Sequence, residues 1–94
     1  MIDPSSRPRL APKARLRFDR HSGKSLLLFP ERGLALNETG AEILGLCTGE
    51  ATVAEIVDTL CAKYGEEKRA TLAAEVRAFL ESLAERNLLR GLEG

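Results

Sequence analysis

The amino-acid sequence predicts a small α+β domain, in which a three-stranded antiparallel sheet is followed by three helices in a winged-helix-like arrangement. Short apolar segments separated by turn residues occupy residues 15–36, as expected for strands. Apolar residues at helical spacing then fill residues 38–86. The 94 residues are enough for one domain with one core.

The first segment differs in composition from the rest of the chain. Residues 1–13 hold three of the four prolines, together with Ser5, Ser6 and two arginines. This composition favours extended or disordered backbone. We therefore expect residues 1–13 to form a flexible arm with no core residue except Leu10, and residues 14–94 to form a single domain.

Two strands are predicted from different apolar patterns. Arg15-Leu16-Arg17-Phe18 alternates strictly, so Leu16 and Phe18 should point to the core and the arginines to water. Leu26 to Phe29 is a continuous apolar run, which is typical of a strand with neighbours on both sides. We expect this second strand at the centre of the sheet.

The third strand, Gly33 to Leu36, follows a turn at Pro30-Glu31-Arg32-Gly33. Pro30 favours the φ of a type I turn, and Gly33 is expected to supply the positive φ that closes a four-residue hairpin loop. If the strands lie side by side in their chain order, the third strand is at an edge of the sheet. It is apolar and carries no run of like charges. Because unguarded edges pair with other strands, the sequence predicts a binding edge here.

The first helix has two candidate caps. Asn37 offers an N-cap oxygen where the third strand ends, whereas Thr39-x-x-Glu42 is a competing capping box. The helix should run from about Glu38 to Cys47. The sequence alone leaves both caps open.

The second and third helices have clearer limits. Thr52-x-x-Glu55 is a capping box that starts the second helix, and Gly65 is the residue expected just after its end. The third helix is predicted over residues 67–86 and stops at Asn87. Leu88 and Leu89 then fold back as an apolar tail.

The chain offers little material for catalysis or for a cofactor. His21 is the single histidine, and Cys47 and Cys61 have the spacing of buried helical positions and not of a C-x-x-C site. The glycines form no nucleotide-binding run. We expect no enzymatic activity, no metal site and no cofactor, and we expect both cysteines to be buried as small hydrophobic residues.

No apolar run is long enough to cross a membrane, and the N-terminus lacks the apolar stretch of a secretion signal. The sequence therefore predicts a soluble cytoplasmic protein.

The charge distribution raises an alternative function. Residues 1–24 carry seven Lys or Arg and two Asp, whereas residues 25–94 carry seven basic and twelve acidic residues. A basic segment beside a helix bundle suggests a winged-helix-like DNA-binding or regulatory domain. Residues 66–87, however, hold five acids and four bases, whereas a recognition helix needs net positive charge. DNA binding is therefore the alternative and not the main prediction.

Three segments resemble the PqqD family of pyrroloquinoline quinone (PQQ) biosynthesis. They are Pro30-Glu31-Arg32-Gly33, Leu36-Asn37-Glu38-Thr39-Gly40-Ala41-Glu42-Ile43-Leu44, and Thr52-Val53-x-Glu55-Ile56-Val57. The likeness spans about residues 14–90, and Thr48 departs from it where Asp is expected. Recognition domains of other peptide-modification pathways share the looser L-N-x-T pattern, so such a pathway stays a second possibility.

The resemblance implies a peptide chaperone. Such a protein binds the ribosomally made precursor peptide PqqA and presents it to PqqE, a radical S-adenosylmethionine (SAM) enzyme that crosslinks a Glu to a Tyr and that holds the iron-sulfur clusters itself. Family members are understood to capture the peptide as an extra strand against the third strand, beside the last helix. This binding mode relies on main-chain hydrogen bonds and needs few special side chains.

The candidate peptide-binding residues follow from that geometry. The strand edge would be supplied by Arg32, Gly33, Leu34, Ala35 and Leu36. A stripe on the third helix would be supplied by Ala73, Arg77, Leu80 and Ala84. The alanines would leave room for a peptide side chain, and Arg77 would meet a carboxylate. Since the same edge can pair with a second copy, we also expect the chain to be capable of homodimerisation.

Overall fold

The computed structural model describes residues 2–30 and 32–92. The strands are β1 (Arg9–Leu10), β2 (Arg15–Asp19), β3 (Lys24–Phe29), β4 (Arg32–Leu36) and β5 (Leu89–Arg90). The helices are α1 (Glu38–Gly45), α2 (Val53–Tyr64) and α3 (Arg69–Glu85), with a 3₁₀ turn at Glu66–Lys68 before α3.

The predicted sheet is confirmed, with strand order β2-β3-β4 and antiparallel pairing throughout. Leu27 of the central strand lies opposite Leu16 on one side and Leu34 on the other, so the three leucines share one face. Leu27 has no exposed surface. This face packs on the helices and forms the sheet side of the core.

The predicted burial of Leu16 and Phe18 is wrong. These side chains are on the same face as Leu27, yet they are 41% and 61% exposed. β2 is an edge strand, and a groove lined by Phe18 and by Ala41 of α1 lies beside it. Pattern alone identifies the face of a strand but not how far the helices extend over it.

The predicted four-residue hairpin loop is also wrong. Phe29 pairs directly with Arg32, so the connection is only two residues long, and Glu31 of this turn lies outside the described residues. Gly33 is inside β4 opposite Leu28, and its φ is not positive. A Cβ at Gly33 would come 3.2 Å from Cδ2 of Leu28, so the glycine gives room for close packing across the sheet and does not shape the turn.

The helix limits follow the capping residues. Asn37 is the N-cap of α1, and its Oδ1 accepts from Gly40 N–H at 2.7 Å, so the competing capping box at Thr39 is not used. The helix ends at Gly45, two residues before the predicted end. The Thr52–Glu55 capping box of α2 is confirmed in both directions.

The end of α3 is also close to its prediction. Asn87 has a φ of 59°, a left-handed conformation that asparagine tolerates and that stops the helix. Leu88 and Leu89 then fold back onto the core and are buried.

The arm at residues 1–13 adds more to the core than its composition predicts. β1 pairs with β5, and the sequence does not predict this pair because each strand has only two residues. Ile2, Pro8 and Ala11 are buried, which corrects the expectation that only Leu10 would be a core residue. The division between arm and domain at residue 13 stays a prediction.

Backbone hydrogen bonds hold this arm against α2. Val53 N–H donates to the Ser6 carbonyl at 2.9 Å, and Ala54 N–H donates to the Pro4 carbonyl at 3.0 Å. The Ser6 hydroxyl donates to the Leu92 carbonyl at 2.8 Å, so the two ends of the described chain meet. The arm therefore supplies acceptors to N–H groups that the first turn of a helix leaves without partners.

The helices complete a single core. α2 and α3 pack most extensively on each other, while α1 contacts all three strands of the sheet and α3. The side chains with the least exposure on these helices are Ile43, Ile56, Leu60, Val76, Leu80 and Leu83. Cys47 and Cys61 are free and buried, as predicted.

Candidate peptide-binding site

The outer edge of β4 faces no other strand in the described part of the chain. Phe29 and Arg32 flank the two-residue hairpin loop, and such flanking residues bond to each other across the ladder. This hydrogen-bonding pattern repeats at every second residue, so the backbone groups of Leu34 and Leu36 also bond to β3. The backbone N–H and C=O groups of Gly33 and Ala35 therefore point outwards.

The side chains along this edge suit the approach of another strand. Leu34 and Leu36 turn towards the helices and are half-buried and buried, respectively. Gly33 and Ala35 are exposed on the opposite face and carry at most one methyl group. Arg32 is exposed at the start of the strand. The five predicted edge residues thus lie together. Gly33 and Ala35 each offer one free N–H and one free C=O group, which makes four main-chain groups in all.

The edge ends where Asn37 starts α1, and the first turn of that helix lies against α3. A Cβ on Gly40 would come 3.2 Å from Cε1 of Phe79, which shows how close the two helices are at this point. The glycine permits this approach, and α1 therefore connects the end of β4 directly to one side of α3.

The residues predicted on α3 do not share that side. Ala73 and Arg77 line a cavity with Ile2, Pro4 and α2, and this cavity contains no residue of β4. Leu80 has no exposed surface, and Ala84 is half-buried. The predicted stripe is therefore divided between the core and the flank that faces the arm, so α3 does not present it as a unit beside the strand edge.

The opposite flank of α3 faces α1. At about 100° per residue, Glu75, Ser82 and Arg86 lie within roughly 60° of Phe79 around the helix. Thr39 of α1 lines a cavity together with Glu75, which supports this orientation. The sequence predicts no role for Phe79 in the site, and its half-buried side chain also packs against the core. The signal that pointed to it was Gly40, whose missing side chain marks a close contact.

A small polar cluster connects α1 and α2 near this site. The Tyr64 hydroxyl donates to Glu42, and Lys63 Nζ lies 2.9 Å from Glu42 Oε2. The hydrogen bond from Tyr64 lowers the pKa of Glu42 most, and the bond from Lys63 lowers it further. The same contact with Glu42 raises the pKa of Tyr64. These contacts link α1 to the last turn of α2.

Three further findings concern the described part of the chain as a whole. Within residues 2–30 and 32–92, no three His, Cys, Asp or Glu side chains are grouped as ligands for a metal ion. Burial raises the pKa of Cys47 to about 12, which keeps this thiol protonated and unreactive. None of the described helices is both long and apolar enough to span a bilayer.

A small α+β domain that presents a free strand edge beside a helix flank has the build of a peptide-recognition domain. The particular family follows from sequence comparison, because residues 24–89 match the model of coenzyme PQQ synthesis protein D, PqqD. The chain belongs to the PqqD family.

Relatives of known name agree with this assignment. A PqqA binding protein of Rhodopseudomonas palustris strain HaA2 is 43% identical over 88 residues, which cover 94% of this chain and 85% of that protein. A PqqA binding protein of Methylococcus capsulatus is 33% identical and covers 95% of this chain and 92% of that protein. A bifunctional coenzyme PQQ synthesis protein C/D of Methylorubrum extorquens is 35% identical, and the match covers 87% of this chain and 22% of that longer protein.

Two solved structures share the fold. One is the solution NMR structure of the PqqD truncation of Methylobacterium extorquens PqqCD, described as a functional, stand-alone recognition element for ribosomally synthesized and post-translationally modified peptides. It has a TM-score of 0.80 and 33% identity, and covers 96% of this chain and 95% of its own. The other is TbiB1 in complex with the TbiA(beta) leader peptide, with a TM-score of 0.74, 26% identity, and coverage of 92% and 99%.

Proposed function

We propose that this protein is a non-catalytic peptide chaperone of PQQ biosynthesis. It binds the precursor peptide PqqA as an additional strand along the outer edge of β4 and presents it to the radical SAM enzyme PqqE. The observation that carries the proposal is the free edge at Gly33 and Ala35 in a chain whose relatives are named PqqA binding proteins.

The geometry supports strand addition in particular. Gly33 and Ala35 direct two donors and two acceptors outwards, and their small side chains leave the edge accessible. A bound strand would continue past the flank of α3 that carries Phe79 and Arg86. Main-chain bonds would supply affinity there, and this flank would supply contacts that depend on the peptide's side chains.

PqqA is favoured over the precursor of another pathway because residues 24–89 match the PqqD family and a relative that covers 94% of the chain is named a PqqA binding protein. The likeness to TbiB1 is weaker in sequence, at 26% identity, and supports the shared fold more than a shared peptide. We expect the complex with PqqA to form in the cytoplasm, where a ribosomal product is first available.

Calorimetric titration with a synthetic PqqA peptide tests the proposal. A peptide of the same composition in scrambled order and a DNA duplex serve as controls. We expect saturable one-to-one binding of PqqA alone. Binding of the duplex with a steep salt dependence, and no heat with PqqA, would support the DNA-binding alternative instead.

A further inference from the structure

The other edge of the sheet has features that peptide binding at β4 does not explain. Leu16 and Phe18 of β2 are large apolar side chains with 41% and 61% of their surface exposed. They lie two residues apart on one face of the strand and form a single patch. Adjacent exposed apolar side chains on a small domain are typical of an interaction surface.

The backbone of β2 is available at the same two residues. Because the backbone groups of Leu27 and Phe29 bond towards β4, those of Leu26 and Leu28 bond towards β2, where their partners are Arg17 and Arg15. Leu16 and Phe18 therefore direct their N–H and C=O groups away from the sheet. This second edge has no strand beside it in the described part of the chain.

The opposite face of β2 is basic. Arg15 and Arg17 are both exposed, and residues 15–24 carry four Lys or Arg against a single acid, Asp19. A strand added to this edge would place its residues alternately beside the apolar patch and beside the two arginines. The matching partner alternates apolar and acidic residues.

The groove beside the patch has room for a partner's side chains. It lies between Phe18 and α1, and its lining includes apolar Ala35, Leu36 and Ala41 as well as Glu42 and Lys63. A second copy of this chain is a poorer occupant, because pairing two β2 strands would bring two basic segments together.

We propose that the β2 edge is a second docking surface, which receives an acidic, apolar strand of the enzyme that acts on the bound peptide. This inference rests on the proposed function, since it names the surface by which the chaperone meets its enzyme. The two partners then pair with opposite edges of one sheet, and the groove beside the β2 patch reaches Ala35 and Leu36 of β4, so the two sites adjoin.

Binding of purified PqqE to four forms of the full chain tests the docking surface. The forms are the wild type, Phe18→Ser, the double variant Arg15→Glu with Arg17→Glu, and the control Arg90→Glu on the separate β1-β5 sheet. We expect the first two variants to weaken PqqE binding by about tenfold or more and the control to leave it unchanged. Added salt should weaken PqqE binding to the wild type but not to the Arg15→Glu, Arg17→Glu double variant, because the attraction that salt screens comes from these two arginines.

The PqqA titration, run on the same four proteins, separates the two proposals. We expect all four to bind PqqA equally, because none of the substitutions is at β4. If PqqE binds the variants as it binds the wild type, or does not bind the wild type, the docking surface is wrong. If the substitutions abolish PqqA binding, the peptide occupies β2 and both proposals are wrong. If PqqA never binds while PqqE binding still depends on Phe18, only the proposed function fails.

Discussion

Gly40 of α1 lies so close to Phe79 of α3 that a Cβ on the glycine would come within 3.2 Å of the ring. The same Cβ would be 2.9 Å from the Asn37 Oδ1 atom that caps the helix. Gly40 therefore allows the cap at the end of β4 and the packing of α1 on α3 to exist together. The position of the candidate site depends on both.

Gly40→Ala should destabilise the protein by about 1–3 kcal/mol, because the added methyl group overpacks this contact and displaces the cap or the ring. Gly45→Ala in the same helix is the matched control, since a Cβ there meets nothing within 4 Å. The control should be neutral or more stable by up to about 1 kcal/mol, because alanine favours the helix. Urea denaturation measures both, and equal effects would contradict the packing argument.

Two proline substitutions distinguish the backbone N–H groups of β4 that point outwards from those that bond to β3. Ala35→Pro removes an outward N–H donor, so it should weaken PqqA binding by about tenfold while the fold is kept. Leu34→Pro removes a donor that bonds to β3, so it should lower the melting temperature even without peptide. Calorimetry with PqqA and thermal unfolding give the two results. An Ala35→Pro protein that binds normally would argue against strand addition.

The Glu42 cluster makes stability depend on pH. The hydrogen bond from Tyr64 lowers the pKa of Glu42 in the folded protein. The ionised Glu42 therefore stabilises the fold fully at pH values above the pKa of Glu42 in the unfolded chain, and this stabilisation is lost as the pH falls through the lower pKa of the folded protein. Glu42→Gln should therefore be less stable than the wild type near neutral pH, and the difference should shrink below about pH 4. Urea denaturation over this pH range measures it, with exposed Glu81→Gln as the control. A difference that stays constant with pH would contradict the assignment.

The N-terminal arm should contribute to stability. Deleting residues 2–6 removes buried Ile2 and the acceptors of Val53 and Ala54, so the free energy of unfolding should fall by about 2–4 kcal/mol. Ser6→Ala removes only one hydroxyl bond and should cost about 1 kcal/mol. PqqA affinity should be unchanged in both variants. A deletion variant as stable as the wild type would show that these contacts add nothing in solution.

The sequence predicts the regular helices and strands of this fold well. Apolar periodicity and the Thr52–Glu55 capping box locate α2, and the strand order β2-β3-β4 follows from the patterns of the three strands. The edge at Arg32–Leu36 also follows, because the last strand of a meander has a neighbour on only one side. These features depend on residues that are close together in the chain.

The features that the sequence did not predict depend on distant contacts. The β1-β5 pair joins residues at opposite ends of the chain, and each strand is too short to show a pattern. The exposure of Phe18 depends on where α1 lies over the sheet. The division of the α3 stripe at Ala73 and Arg77 depends on which flank the arm covers. The periodicity of apolar residues predicts which face of a strand or helix a side chain lies on, but it does not predict which distant residues that face contacts.

Hydrogen exchange of the backbone amides, measured by NMR with and without PqqA, tests the central claim most directly. Strand addition at β4 predicts that the Gly33 and Ala35 amides exchange quickly in the free protein and become protected in the complex. The outward amides of Leu16 and Phe18 on β2 should keep exchanging at the same rate. Protection at Leu16 and Phe18, or no new protection at Gly33 and Ala35 when the peptide is saturating, would contradict the account.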